Sequence, residues 1–323
     1  MKGNLQLKIS IAMCTYNGEE FIREQLDSFL NQTRLPDELI ICDDRSNDNT
    51  IQIIKEFEKR APFKVELIIN EKQLGSTKNF EKALLHCRGD IIFLADQDDV
   101  WDKRKLSLIE EKFIENDRVG MVFTDAAMVD HNLNYLGNTL WESISFTPKA
   151  QKQFPTNAFD VFIRENVVTG ATMAFRSKYT DMMMPFSEEW IHDAWMAIIL
   201  AASKGILIEI IDKPLIMYRQ HSNNQLGAVK RDLKKKIADA KTKKVMKNTQ
   251  YSDVEEFLIQ NKVNVKDNVL QMLKGKQKHT EHRNNLPGNF FKRTLKVAKE
   301  AGLLHYSKYS NGYRSIVKDI LYK

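Results

Sequence analysis

The sequence predicts an α/β fold, a mostly parallel sheet flanked by helices, followed by a basic, mostly helical C-terminal extension. Two observations predict it. Apolar runs of strand length alternate with segments whose apolar residues recur at helical spacing, from residue 7 to residue 211. Charge also divides along the chain: from Lys230 onward there are 23 Lys+Arg against 9 Asp+Glu, a balance of +14, while the rest holds 26 against 34, a balance of −8.

LKISIAMC (7–14) is the first strand, and 18–31 sets Phe21, Ile22, Leu26, Phe29 and Leu30 on one helical face. ELIIC (38–42) is the second strand, followed by a helix over Ile51–Lys59, strand KVELII (64–69), a helix over 76–87 and a strand over 90–95. Alternation of this kind argues for parallel strands with helices on both faces. VGMVFT (119–124) adds a strand, and the aromatic, turn-rich stretch 131–156, with Trp141, Phe146, Pro148 and Pro155, reads as a long functional loop. VVTGATMAFR (167–176), a helix within 190–205, strand ILIEII (206–211) and YRQHSNNQLG (218–227) follow. The texture then becomes helical and basic, which places a boundary near Gly227: a catalytic body over 1–227 and a C-terminal region over 228–323.

Ligands of open parallel sheets sit beyond the carboxyl ends of the strands. Those ends read CTYNG (14–18), CDDRS (42–46) and DQDD (96–99), so polar and acidic groups from three strands converge on one edge. Three carboxylates within four positions, Asp96, Asp98 and Asp99, repel one another unless something positive lies among them; the choice is between a divalent cation and a solvated acidic turn. The glycine fingerprint of dinucleotide enzymes, the Walker lysine loop and the glycine and terminal glutamate of a calcium-binding EF-hand are missing, which disfavours those classes. Cys14, Cys42 and Cys87 have neither zinc-site spacing nor an even count, and read as small core residues in a reducing compartment.

Six motifs in order, CTYNGEEFIREQLDSFLNQT, ICDDRSNDNT, ADQDDVW, VTGATMAFR, HDAW and YRQHSNN, resemble the inverting family 2 glycosyltransferases of GT-A type, a Rossmann-like fold. Within them the chain is most similar to bacterial rhamnosyltransferases and related enzymes of surface polysaccharide synthesis. The resemblance spans roughly residues 7–227 and implies a nucleotide-sugar donor, dTDP-rhamnose or a UDP-hexose, and a glycan or lipid-linked acceptor. It implies that Thr15, Tyr16 and Asn17 line the nucleotide and that Asp44, with Asp43, faces base and ribose, or else that these aspartates hold a turn. Asp96 and Gln97 would contact the donor, and Asp98 or Asp99 would coordinate Mn²⁺ or Mg²⁺, with Asp98 near the diphosphate. His221 is either a further metal ligand or a satisfied structural histidine. Lys78 stands where the family often carries arginine, and can act as a point charge toward phosphate or base. Asp193 falls at the family's catalytic base, with helix capping as its other role. His192, Trp101 and Trp195 are acceptor-side candidates, although helical spacing favours core for Trp195.

The tail mixes Phe290, Phe291, Leu295, Val297, Leu303 and Leu304 with lysine and arginine, which suits a helix in the headgroup layer of an anionic membrane; the rival is a basic helix packed on the body or on another subunit. The first residues, MKGNLQLKISIAM, carry no apolar run with a cleavage site, and no stretch is long enough to span a bilayer. The expectation is a cytoplasmic enzyme, peripheral on the inner membrane face, with an oligomer left open. Two rival classes are a catalytically inactive scaffold for glycan assembly, which intact Asp98, Asp99 and Asp193 argue against, and a nucleic-acid binder, for which the tail lacks recognition motifs.

Overall fold

A computed structural model of the chain describes residues 6–221 and 249–321. Strands β1 (Ile9–Thr15), β2 (Glu38–Asp43), β3 (Lys64–Ile69) and β4 (Ile91–Ala95) run parallel in the order β3-β2-β1-β4, joined by helices α1 (Ile22–Leu30), α2 (Thr50–Glu58) and α3 (Ser76–His86). A short strand β5 (Val100–Trp101) and helix α4 (Lys105–Glu115) lead to β6 (Val119–Val129). Beyond β4 the sheet becomes mixed. β8 (Met173–Arg176) lies antiparallel between β4 and β6, and β9 (Leu207–Arg219) runs parallel to β6 and antiparallel to β5. The sheet is therefore mostly parallel, as the alternating pattern predicts.

Successive residues of a strand face opposite sides. On β4, Ile91, Phe93 and Ala95 pack under α1, α2 and α4, while Ile92 and Leu94 pack under α3 and the central helix α9 (His192–Ala202). Burial on both faces explains why these strands read as continuous apolar runs. Every residue of α9 is buried, so this helix fills the space between the sheet and the C-terminal region.

Two expectations change. The stretch 131–156 is no open loop: it holds strand β7 (Tyr135–Thr139), paired with β6, and helices α5 (Leu140–Ile144) and α6 (Pro148–Gln151). Its Trp141 and Phe146 are core, packed against each other and against Phe123. A capping box that the sequence spells as Thr139-Leu-Trp-Glu142 starts α5: Glu142 N donates to Thr139 Oγ1 and Thr139 N to Glu142 Oε2. The last strand also runs on past residue 211 to Arg219, because register shifts near Thr124 and Asp125 of β6 absorb Pro214, which would otherwise break a ladder.

After α7 (Ala158–Phe162) and α8 (Thr180–Met183), the described C-terminal residues form α10 (Thr249–Gln260), α11 (Val269–Asn284), α12 (Phe290–Gly302), α13 (His305–Tyr309) and α14 (Tyr313–Leu321). The helical reading of the tail holds there; residues 230–247 and the boundary near Gly227 lie outside the described residues. Tyr251, Val254, Phe257 and Leu258 of α10 enter the same core as α9, and Trp195 meets Phe257 edge to face with centroids 4.8 Å apart. No helix among the described residues is long and apolar enough to cross a membrane.

Candidate active site

The carboxyl ends of β1, β2 and β4 open into a cavity of about 440 Å³. Its wall includes Thr15, Tyr16 and Asp44 from the first two strand ends, Asp96, Gln97 and Asp98 from the acidic loop, and His192 and Asp193 from the start of α9. Residues predicted from four separate motifs therefore share one cleft.

The β1 and β2 ends are tied together by side chains. Asp43, fully buried, accepts from Thr15 Oγ1 (2.7 Å) and from Ser46 N (2.7 Å) and Oγ (2.6 Å), so it fixes the turn rather than lining the cleft. Asp44 accepts from Asn70 Nδ2 (2.8 Å), Leu74 N (2.7 Å) and Gly75 N (2.9 Å), which anchors the loop before α3 while its carboxylate still borders the cavity. Asn17, with φ +45°, holds Asn47 N through its side chain and is not in the wall. Tyr16 is half exposed at the rim, and its backbone is clasped by the Gln97 amide, Tyr16 N to Oε1 at 2.8 Å and Nε2 to Tyr16 O at 3.0 Å.

Within the acidic loop the three carboxylates have different surroundings. Desolvation in the cleft, with Asp98 and Asp193 nearby, pushes Asp96 up to about 7. Asp98 Oδ2 lies 2.8 Å from His221 Nε2, which brings together two groups 123 residues apart. Asp99 is fully buried; Arg219 N donates to its Oδ1 at 3.1 Å, and Oδ2 has no partner. Burial, then Asp98 and Asp96, drive the Asp99 carboxyl well above the usual range.

The chain itself answers part of the charge question. Lys105 is fully buried, which drives its pKa well below the usual lysine range against the pull of Asp99 and Asp96; it donates to Ala171 O at 2.6 Å and sits 3.4 Å above the Trp101 ring. Arg219, also buried, donates Nε to Asp98 O at 2.8 Å and reaches His131 O and Glu24. Sequence reasoning missed both. Arg219 was legible only as the arginine of YRQH, and no local pattern singles out Lys105 at the start of α4.

Asp193 occupies the first turn of α9 at 4% exposure, where the positive helix end favours a carboxylate. Gly170 N donates to its Oδ2 at 2.9 Å, so VTGA, quoted only as a motif, supplies the orienting group. Burial nevertheless raises its pKa to about 6. His192 stacks on Phe80 with centroids 4.1 Å apart, and neither ring nitrogen has a partner. Burial holds its pKa down near 3, which keeps the ring neutral. A Cβ on Gly170 would come within 2.7 Å of His192 Nε2, so only glycine admits this packing.

Three predicted residues are placed elsewhere. Lys78 Nζ is held by Glu81 (3.1 Å) and Phe186 O (3.0 Å), away from the cavity wall. Trp101 is core rather than an acceptor platform: it is 4% exposed, with Phe29 on its edge and Lys105 over its face. Trp195 is 1% exposed and donates to Met183 O, which agrees with the core reading. Cys14, in the cavity wall, and Cys42 and Cys87 are all free.

The fold is shared with solved glycosyltransferases. Staphylococcus aureus TarS residues 1–349, in complex with UDP-GlcNAc, superposes with a TM-score of 0.59 at 16% identity, covering 97% of this chain and 88% of that one. The Pyrobaculum calidifontis mannosyltransferase PcManGT, in complex with GDP-Man and Mn²⁺, gives 0.57 at 16% identity over 93% and 76%. The sheet and its flanking helices are thus those of a GT-A type glycosyltransferase. In sequence, the chain is 30% identical over 233 residues to the dTDP-rhamnosyl transferase RfbG of Shigella flexneri, across 67% of this chain and 74% of that protein. The family model for Glycosyl transferase family 2 matches residues 10–177. The chain belongs to that family and is a glycosyltransferase enzyme.

Proposed function

We propose that this enzyme moves a sugar, with inversion, from dTDP-rhamnose or a UDP-hexose to a lipid-linked or polysaccharide acceptor in bacterial surface-glycan synthesis. The observation that carries the reading is the placement of a buried, mildly basic carboxylate, Asp193, in the same cleft as the acidic loop Asp96–Asp98. Asp193 takes the proton of the acceptor hydroxyl as that oxygen bonds to the anomeric carbon and the nucleoside diphosphate leaves. One bond forms, one breaks, and no covalent enzyme intermediate is needed. Gly170 N holds the carboxylate in place. The clasp of Gln97 on Tyr16 and the triple anchor on Asp44 shape the nucleotide side.

The donor set fits a divalent cation: Asp98 and His221 converge, Asp96 adds a second carboxylate, and burial, with Asp98 and Asp193 nearby, raises Asp96. Asp98 and His221 would hold Mn²⁺ or Mg²⁺, with Asp99 bracing the loop from behind through Arg219 N. When bound, such an ion neutralises diphosphate charge. We place residues 228–323 at the membrane surface, because α12 exposes Phe290, Phe291 and Leu295 beside Lys292, Lys296 and Lys299.

The test is release of free nucleotide from a panel of nucleotide sugars, with Mn²⁺ or with excess chelator. Release from dTDP-rhamnose or a UDP-hexose that chelator abolishes is expected. Full turnover in chelator overturns the metal assignment, and turnover confined to GDP- or CMP-sugars overturns the donor assignment.

A further inference from the structure

Far along the chain from the cleft, four side chains of the C-terminal helices face one another. His279 and His282 stand three residues apart on α11 and so share a helix face. Glu300 lies in the last turn of α12, and His305 opens α13. Glu300 Oε2 is 3.4 Å from His279 Nδ1 and 2.9 Å from His305 Nδ1, and Glu300 Oε1 is 3.8 Å from His282 Nδ1. One donor atom each from His279, Glu300 and His305 all fall within 4.8 Å of one another.

Zinc bonds of about 2.0–2.1 Å in a tetrahedron put neighbouring donor atoms about 3.3 Å apart. The observed separations bracket that edge. We propose that His279, Glu300 and His305 bind one Zn²⁺ ion that ties α11, α12 and α13 together, with a water completing the tetrahedron. Two imidazoles and one carboxylate form a borderline N/O set of the kind zinc takes, whereas Mg²⁺ and Ca²⁺ favour all-oxygen shells.

The surroundings agree with a built site. The His279 side chain is 1% exposed and that of Glu300 12%, so these are not solvated surface groups. All three rings turn the same nitrogen, Nδ1, toward the common carboxylate, and His279 Nε2 lies 3.3 Å from Ser310 Oγ, an outer partner of the kind that orients a metal-bound histidine. His282 Nε2 is buried without a partner. The two cations nearby are engaged elsewhere: Arg283 makes two bonds to Asp319, at 2.6 and 3.0 Å, and Lys276 Nζ donates to Tyr309 O at 2.7 Å. The rival arrangement is a hydrogen-bonded network in which Glu300 simply accepts from the imidazoles.

Zinc titration of the full chain, stripped of metal and carrying Asp98→Ala to remove the cleft's own candidate ligand, separates the two. The expected result is one equivalent bound with submicromolar affinity, a rise in Tm on loading, and visible bands of four-coordinate cobalt when Co²⁺ replaces zinc. Adding His305→Ala, at a half-exposed position the fold tolerates, should weaken binding by about 100-fold with unchanged circular dichroism, and Glu300→Gln should do the same. No zinc uptake, or equal uptake by the His305→Ala form, overturns the proposal in favour of the hydrogen-bonded network.

Discussion

Asp193 illustrates how one residue serves two ends. Its position in the first turn of α9 stabilises the helix, and its burial makes the carboxylate a better base than an exposed aspartate. Asp193→Asn keeps the shape and removes the proton acceptor, so kcat should fall by roughly 100-fold or more while donor affinity, measured by titration calorimetry, is retained. Near-normal turnover in a folded variant would move the base elsewhere. The pH profile follows from the direction of the shift. Burial raises this pKa from 3.8 to about 6, so the ionised, active form is lost as pH falls through about 6 and is complete above about pH 7. The kcat/KM of the wild type should therefore climb with pH on a limb centred near 6, well above that of an unperturbed aspartate. A flat profile from pH 5 to 8 would contradict the assignment.

At the scale of elements, the contact between α9 and the C-terminal helices decides what the tail is to the body. Leu273 of α11 is fully buried in the core that includes α9 and α10. Leu273→Ala should cost about 2–5 kcal/mol, read as a lower urea midpoint. Because the core is shared, catalytic-body fluorescence and total helicity should move in one transition. Two separated transitions would mean that the tail helices unfold by themselves. The antiparallel pair of β5 and β9 is a second such element, since it carries Arg219 back to the acidic loop and His221 to Asp98. No local pattern announces that pairing, which joins Trp101 to Ile216.

For the whole molecule, the division of charge matters most. The acidic body holds the cleft, and the basic tail exposes Phe291 at 77% and Leu295 at 73% between lysines. A Phe or Leu that enters the acyl boundary contributes about 1.5 kcal/mol or more, and each nearby Lys about 1 kcal/mol against an anionic surface. Replacing Phe291 and Leu295 with Ser should weaken co-sedimentation with anionic vesicles by roughly 100-fold, with turnover on a water-soluble acceptor unchanged. Such a variant tests docking better than truncation at residue 227, which would strip α10 from the core around Trp195. Binding by the wild type should also fall as salt shortens the Debye length from about 10 Å at 0.1 M to about 3 Å at 1 M. Equal sedimentation of both forms, or of neither, would leave packing within the chain as the tail's role.

What the sequence determined by itself is what is written locally. Strands buried on both faces read as apolar runs, helices as a 3.6-residue period, and polar strand ends as an edge for ligands, so β1 to β4, α1 to α3 and the gathering of Thr15, Asp44, Asp96, Asp98 and Asp193 were legible. Only tertiary structure decided which carboxylate faces the cleft and which is sealed behind it, because Asp98 and Asp99 are neighbours in sequence and differ only in what packs on them. It also made Trp101, Trp141 and Phe146 core, turned Lys78 toward Glu81, and brought Lys105 and Arg219 to the acidic loop. Those outcomes depend on contacts between residues up to 195 positions apart, as for Arg219 and Glu24, and local periodicity carries no record of partners so distant.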